Sequence, residues 1–118
     1  MEANPAHLFA EAKDRSAFER KYRGKTVEFR GVVHLVQRDG ATGKTYIVLG
    51  AQATGKPCEE YYCYGTVACA TDRYGEAQLE KALSLGRQRQ TVAARGIFEG
   101  MVNVWPAFGQ CTIPALDE

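Results

Sequence analysis

The sequence has almost no net charge: 15 Lys and Arg stand against 14 Asp and Glu, leaving +1, and no block of like charge runs along the chain. The basic coat that announces many nucleic-acid binders is therefore missing, although local patches rather than net charge decide such binding. Long apolar runs are missing too, and none approaches the roughly 20 residues that a helix needs to cross a bilayer. Met1-Glu2-Ala3-Asn4-Pro5 offers no basic start followed by an apolar stretch. The chain as it stands is expected to be soluble and cytoplasmic, with a periplasmic or secreted location if a leader segment has been removed. Histidine is scarce, with only His7 and His34, and neither sits beside a nucleophile in a recognisable motif, so no catalytic residue and no enzyme is expected. The acid pair Glu59-Glu60 fits a solvated loop better than a hydrolytic couple. Gly43-Lys44-Thr45 is not a phosphate loop, because Arg38 stands where the earlier glycine is required and the segment joins strand to strand.

Cysteine is present but badly spaced for metal. Cys58, Cys63 and Cys69 are separated by four and five residues, and Cys111 is distant, whereas a zinc site wants two close pairs. Neither a metal nor another cofactor is expected. Four cysteines permit three fully paired arrangements, and composition alone leaves disulfides and buried reduced thiols equally open.

What is present suits one core. A chain of 118 residues with 45% apolar and 10% aromatic residues has the size of a single domain, expected over 1–118 with a helical lead-in at 1–24 and a barrel at 25–113. Helix-favouring residues run from Ala6 to Tyr22, with capping-box spacing at Ser16-Ala17-Phe18-Glu19, a break near Asp14 and a stop at Gly24. Thr26 to Gln37 then reads as a long strand bent at Gly31, and Thr45–Leu49 as its hairpin partner. Residues 50–63 lack a regular period and read as a long loop. Strands are further expected at 64–70, 91–99 and 102–113, with a tight turn at Gly100. A helix near 75–84 stops at Gly86. The order of three strands, a helix and two strands predicts an all-β fold, the five-stranded Greek-key barrel of the oligonucleotide/oligosaccharide-binding (OB) type, with the helix between strands three and four.

Lys21-Tyr22-Arg23-Gly24-Lys25-Thr26-Val27-Glu28-Phe29-Arg30-Gly31-Val32-Val33 resembles the opening of the bacterial OB-fold domains called tRNA-anticodon-binding-like. Val67-Ala68-Cys69, Leu85-Gly86 with Thr91-Val92-Ala93-Ala94-Arg95-Gly96, and Cys111-Thr112-Ile113 resemble that family's third, fourth and closing strands. The resemblance covers roughly Ala12 to Ile113. It implies the barrel fold and, through the family's two cysteines, adjacent sulfurs at Cys69 and Cys111, with Cys58 and Cys63 forming the other pair in an oxidising compartment. The 50–63 segment, with Cys58 and Cys63, departs from the family pattern.

In such barrels ligands bind strands two and three and the neighbouring loops. Alternation turns Ile47 and Leu49 inward and Tyr46 outward, where a base or sugar could stack. Tyr61 and Tyr64 lead into strand three, and Arg30, Arg38 and Lys44, with Arg95, could surround them with positive charge. These aromatics could equally brace the long loop. Two functional classes follow: a non-enzymatic OB module for single-stranded nucleic acid or another oligomer, or a protein-interaction module using the barrel face or the 50–63 loop.

Overall fold

A computed structural model describes residues 2–3, 8, 10–38, 43–50, 66–102 and 105–117, with side chains described for all of these except residues 2, 3, 102 and 105. The elements are β1 (Glu2–Ala3), α1 (Arg15–Tyr22), β2 (Thr26–Arg38), β3 (Thr45–Gly50), β4 (Thr66–Thr71), α2 (Glu76–Arg87), β5 (Thr91–Val102), β6 (Trp105–Thr112) and the single turn α3 (Pro114–Asp117). Tyr61, Tyr64, Cys58, Cys63, His7 and the loop from residue 51 onward lie outside the described residues.

Strand β2 is long enough to serve two neighbours. Its first half pairs antiparallel with β5, from Thr26↔Ile97 to Val32↔Thr91, and its second half pairs with β3, from Val32↔Gly50 to Arg38↔Thr45. Between Val33 and Leu35 the register shifts, leaving His34 as the extra residue. The expected bend thus falls three residues beyond Gly31, where a bulge tightens the twist without needing glycine. Strand β3 pairs with β4, β4 runs parallel to β6, and β6 pairs with β5, which closes the circuit on β2. This is a closed five-stranded barrel of the OB type, with α2 between its third and fourth strands. The short β1 lies parallel to β2 at Glu28 and Phe29, on the edge of β2 that β5 does not use.

Period-two alternation fills the interior. Val27, Phe29, Val33, Ile47, Leu49, Val67, Cys69, Val92, Ala94, Phe98, Phe108, Cys111 and Ile113 form one buried cluster. Phe98 and Phe108 meet edge to face with ring centres 5.6 Å apart, and Phe29 lies 5.2 Å from Phe108. Helix α1 adds Phe18, whose ring is 4.9 Å from Phe98, and Tyr22, whose hydroxyl donates to Glu11 at 3.1 Å. The capping residue of α1 is Asp14 rather than Ser16: the Asp14 carboxylate accepts from the Ala17 amide at 3.2 Å, because the chain breaks at Asp14 as its sequence suggested. Gly24 takes φ +72°, the left-handed conformation expected after the helix.

Two glycines do other work than expected. Helix α2 runs through Gly86 to Arg87, so Gly86 does not stop it. A Cβ there would fall 2.1 Å from the Val33 carbonyl oxygen, which shows that the glycine lets the helix backbone touch β2 next to the bulge. Gly100 is likewise not the hairpin turn. It sits within β5 at φ +143°, opposite Ala107 and beside a register shift, and the β5–β6 pairing continues past it to Val102↔Trp105. Pro106 is tolerated because it precedes the stretch in which β6 gains β4 as a second neighbour, at Ala107 and Phe108.

The end of the barrel is pinned by polar atoms. The Tyr74 hydroxyl accepts from the Ile113 amide at 2.7 Å and donates to the Ile113 carbonyl at 3.2 Å, both buried. Gln78 accepts from the Gly75 amide at 2.9 Å and donates to the Leu116 carbonyl at 3.3 Å, joining the start of α2 to α3. A disulfide links Cys69 on β4 to Cys111 on β6 inside the core, as the resemblance implied.

Candidate functional site

The alternation that buries Ile47 and Leu49 turns Tyr46 and Val48 to the outside of the barrel, and the neighbouring strands turn Ala68, Ala70 and Ala107 the same way. These five residues form a second apolar cluster, with Leu35 of β2 packed against it. Tyr46 is therefore outward, as its position in the strand predicts, but its side chain is only 9% exposed. It packs in this cluster with Val48 and the small alanines of β4 and β6, where burial of the apolar ring outweighs exposure to solvent. A ring packed in this way is not presented for stacking, and truncating Tyr46 perturbs the fold as well as the surface.

Polar groups frame this outer face at the β2–β3 end. Gln37 is the Cα partner of Tyr46, and Arg38 is the partner of Thr45, which follows Lys44. The Gln37 Oε1 atom is buried without a hydrogen-bond partner. Such an orphaned acceptor costs roughly 1–3 kcal/mol relative to a satisfied one, so a donor supplied by a ligand would be favoured there. Arg38 donates to Glu76 at the start of α2, and Lys44 lies 3.9 Å from Glu99. Both cations remain about half exposed. Their carboxylate neighbours reduce, without abolishing, the positive potential at this end.

His34 and Gly50 extend the same face. A Cβ on Gly50 would fall 2.6 Å from the His34 Nε2 atom and 2.8 Å from a Thr66 methyl group, so the glycine makes room for the imidazole. Burial holds the His34 pKa below its ordinary value, because the charged ring would lose solvation.

Arg30 does not belong to this group. Eight residues separate it from Arg38, a path of roughly 26 Å along a strand. Arg30 lies in the half of β2 that pairs with β5, opposite Ala93, and beside it Glu28 stands opposite Arg95. Arg95 donates to Glu28, and this hydrogen bond together with its charge holds the Glu28 carboxyl below the usual carboxylate range. The expected cationic set is thus divided between two surfaces, Arg38 and Lys44 at one and Arg30 and Arg95 at the other. Gln37 carries no sequence signal of its own, and its place at the site is visible only once the β2–β3 register sets it opposite Tyr46. Tyr61 and Tyr64 lie outside the described residues.

The topology defines a small OB-type barrel whose outward-turned residues on β3, β4 and β6 are themselves buried, from 0% exposure at Val48 and Ala68 to 9% at Tyr46, with polar groups at the β2–β3 end. Comparison with solved structures agrees at the level of fold. A lipoprotein from Klebsiella pneumoniae subsp. pneumoniae, provisionally described as nucleic-acid-binding, superposes with a TM-score of 0.65 over 96% of this chain and 90% of its own, at 16% identity. No protein-family model matches the chain, and no curated protein matches it. Among the described residues, no helix is long and apolar enough to cross a membrane.

Proposed function

We propose that the protein is a non-enzymatic OB-fold binding module that holds a single-stranded nucleic acid, or a chemically similar anionic oligomer, at the β2–β3 end of the barrel. The observation that carries this reading is the pair of half-exposed cations Arg38 and Lys44 at that end, with the unpartnered Gln37 Oε1 next to them in the β2–β3 ladder. An orphaned acceptor suits the N–H donors on the edge of a nucleobase, and the two cations suit the phosphates of its backbone. The barrel shared with a protein described as binding nucleic acid supports the same reading.

The test is binding of a labelled single-stranded oligonucleotide by fluorescence anisotropy across a salt series. Wild-type affinity should fall with salt, and Arg38→Gln with Lys44→Gln should flatten the log–log slope by about 0.7 for each phosphate that is no longer neutralised. Gln37→Leu should weaken binding while leaving that slope unchanged. Failure to bind, or binding insensitive to salt, defeats the proposal.

A second reading, protein interaction through the same end, draws on a specific observation: each framing cation already has an acidic neighbour, Glu76 or Glu99. Affinity for a protein partner would respond little to salt. For compartment, the Cys69–Cys111 bond supports an oxidising, extracytoplasmic location over the cytoplasm, and the lipoprotein character of the structural neighbour points the same way.

A further inference from the structure

The seam between β2 and β5 holds a cleft of about 390 Å³, lined by Glu28, Arg30, Ala93, Arg95, Thr112 and Pro114. It is built by the strand pattern. Val27 and Phe29 turn into the core, so Glu28 and Arg30 turn out; Ala94 turns in, so Ala93 and Arg95 turn out. Glu28 faces Arg95, Arg30 faces Ala93, and Arg95 faces Thr112 on the other side. Ala93 is small, and the gap above it forms the floor between the two arginines.

We infer that this cleft is a binding site for one phosphate-bearing ligand of nucleotide size, separate from the oligomer site at the β2–β3 end. Three features select that chemistry. The volume falls within the roughly 300–1,000 Å³ range of small-ligand sites, above the needs of a bare ion. The exposed Ala93 at the floor and the exposed Pro114 at the rim offer apolar contact to a ring. Two guanidinium groups on adjacent strands of one face offer the planar, forked donors that match phosphate oxygens. Arg95 gives one donor to Glu28 and keeps others for a ligand. The Thr112 hydroxyl lies on the rim as a further donor. Glu28 has two effects: its hydrogen bond orients Arg95, and its charge opposes an anion. A glutamine at this position keeps the acceptor and removes the charge.

The experiment titrates the full chain with a nucleoside monophosphate, with inorganic phosphate and with a single-stranded oligonucleotide, by calorimetry and amide chemical shifts. The monophosphate should bind saturably and shift amides of β2 and β5 around Arg30 and Arg95. Arg30→Gln and Arg95→Gln should each lower its affinity at least tenfold, and Glu28→Gln should raise it. Ala93→Leu, an exposed strand position where added bulk leaves the core intact, should fill the floor and abolish binding with little change in melting temperature. Inorganic phosphate displacing the monophosphate identifies the phosphate as the recognised group, and phosphate binding as tightly as the monophosphate would refute the role of the apolar floor. Oligonucleotide affinity should be unchanged in all four variants. No binding of the monophosphate by the wild type, or unaltered binding in Ala93→Leu, overturns the site. Parallel loss of oligonucleotide binding in the arginine variants would make the cleft part of the oligomer path and overturn its separateness, while the Gln37 and Lys44 variants test the β2–β3 end independently.

Discussion

Reducing the Cys69–Cys111 bond in a variant carrying Cys58→Ser and Cys63→Ser isolates the contribution of one crosslink without changing the shape of the core. The two cysteines are 42 residues apart, both are essentially fully buried, and their Cα atoms are 5.5 Å apart. In the chain-entropy description, closing a loop of that length removes about 13 cal/mol/K from the unfolded ensemble, equivalent to about 4 kcal/mol at 25 °C. The folded state loses little on reduction, because the thiols stay in the same apolar surroundings and behave as small hydrophobes. Stability should therefore fall by about 4 kcal/mol, which lowers the melting temperature by roughly 15 °C for a domain of this size. The assay is thermal and urea unfolding followed by circular dichroism, with and without a phosphine reductant. The urea m-value should rise on reduction, since the unfolded chain freed of the link exposes more surface. A melting temperature lowered by less than about 4 °C would refute the loop-closure argument and place the effect of the bond in residual structure of the unfolded chain.

Three further outcomes are expected. Tyr74→Phe removes the hydroxyl that serves both the amide and the carbonyl of Ile113, so it should cost about 1–3 kcal/mol in urea unfolding and speed hydrogen exchange at Ile113. Gly86→Ala should cost about 2 kcal/mol despite the roughly 1 kcal/mol that alanine gains in helix propensity, because the new methyl group meets the Val33 carbonyl, which cannot swing aside as a side chain could; a stabilised variant would contradict the close approach of α2 to β2. For His34, burial keeps the folded-state pKa below that of the unfolded chain, so below about pH 6.5 the unfolded chain binds a proton that the folded protein refuses. Stability should decline as pH falls through that window, and His34→Gln should flatten the decline measured by urea midpoints; an identical pH profile in the variant would show that other groups cause it.

Much of the barrel could be read along the chain because alternation is a local property. Val27 and Phe29, Ile47 and Leu49, and Val92 and Ala94 each declare an inward face two residues at a time, and the helix between strands three and four selects one barrel among several. The Cys69–Cys111 pairing came from resemblance, not from spacing. Where sequence and structure part, the missing information is the position of a neighbouring strand or helix. Gly86 looks like a helix stop because local chemistry cannot reveal that a carbonyl of β2 lies against it. Gly100 looks like a turn because the pairing of Val102 with Trp105 is set by the whole β5–β6 ladder.

The sequence by itself determined which residues could form strands, which side of each strand is apolar, and how many chemical groups were available to bind anything. Only the tertiary structure decided which of those groups meet. Strand β2 shares its two halves between β5 and β3, so Arg30 and Arg38, equivalent as outward-lying cations in a one-dimensional reading, are delivered to different surfaces. Tyr46 is outward by parity, yet it is buried in a cluster with Val48 and the alanines of β4 and β6. Side-chain direction depends on the residue's own strand, whereas burial and company depend on strands distant in sequence, and closure of the barrel is what brings those strands alongside.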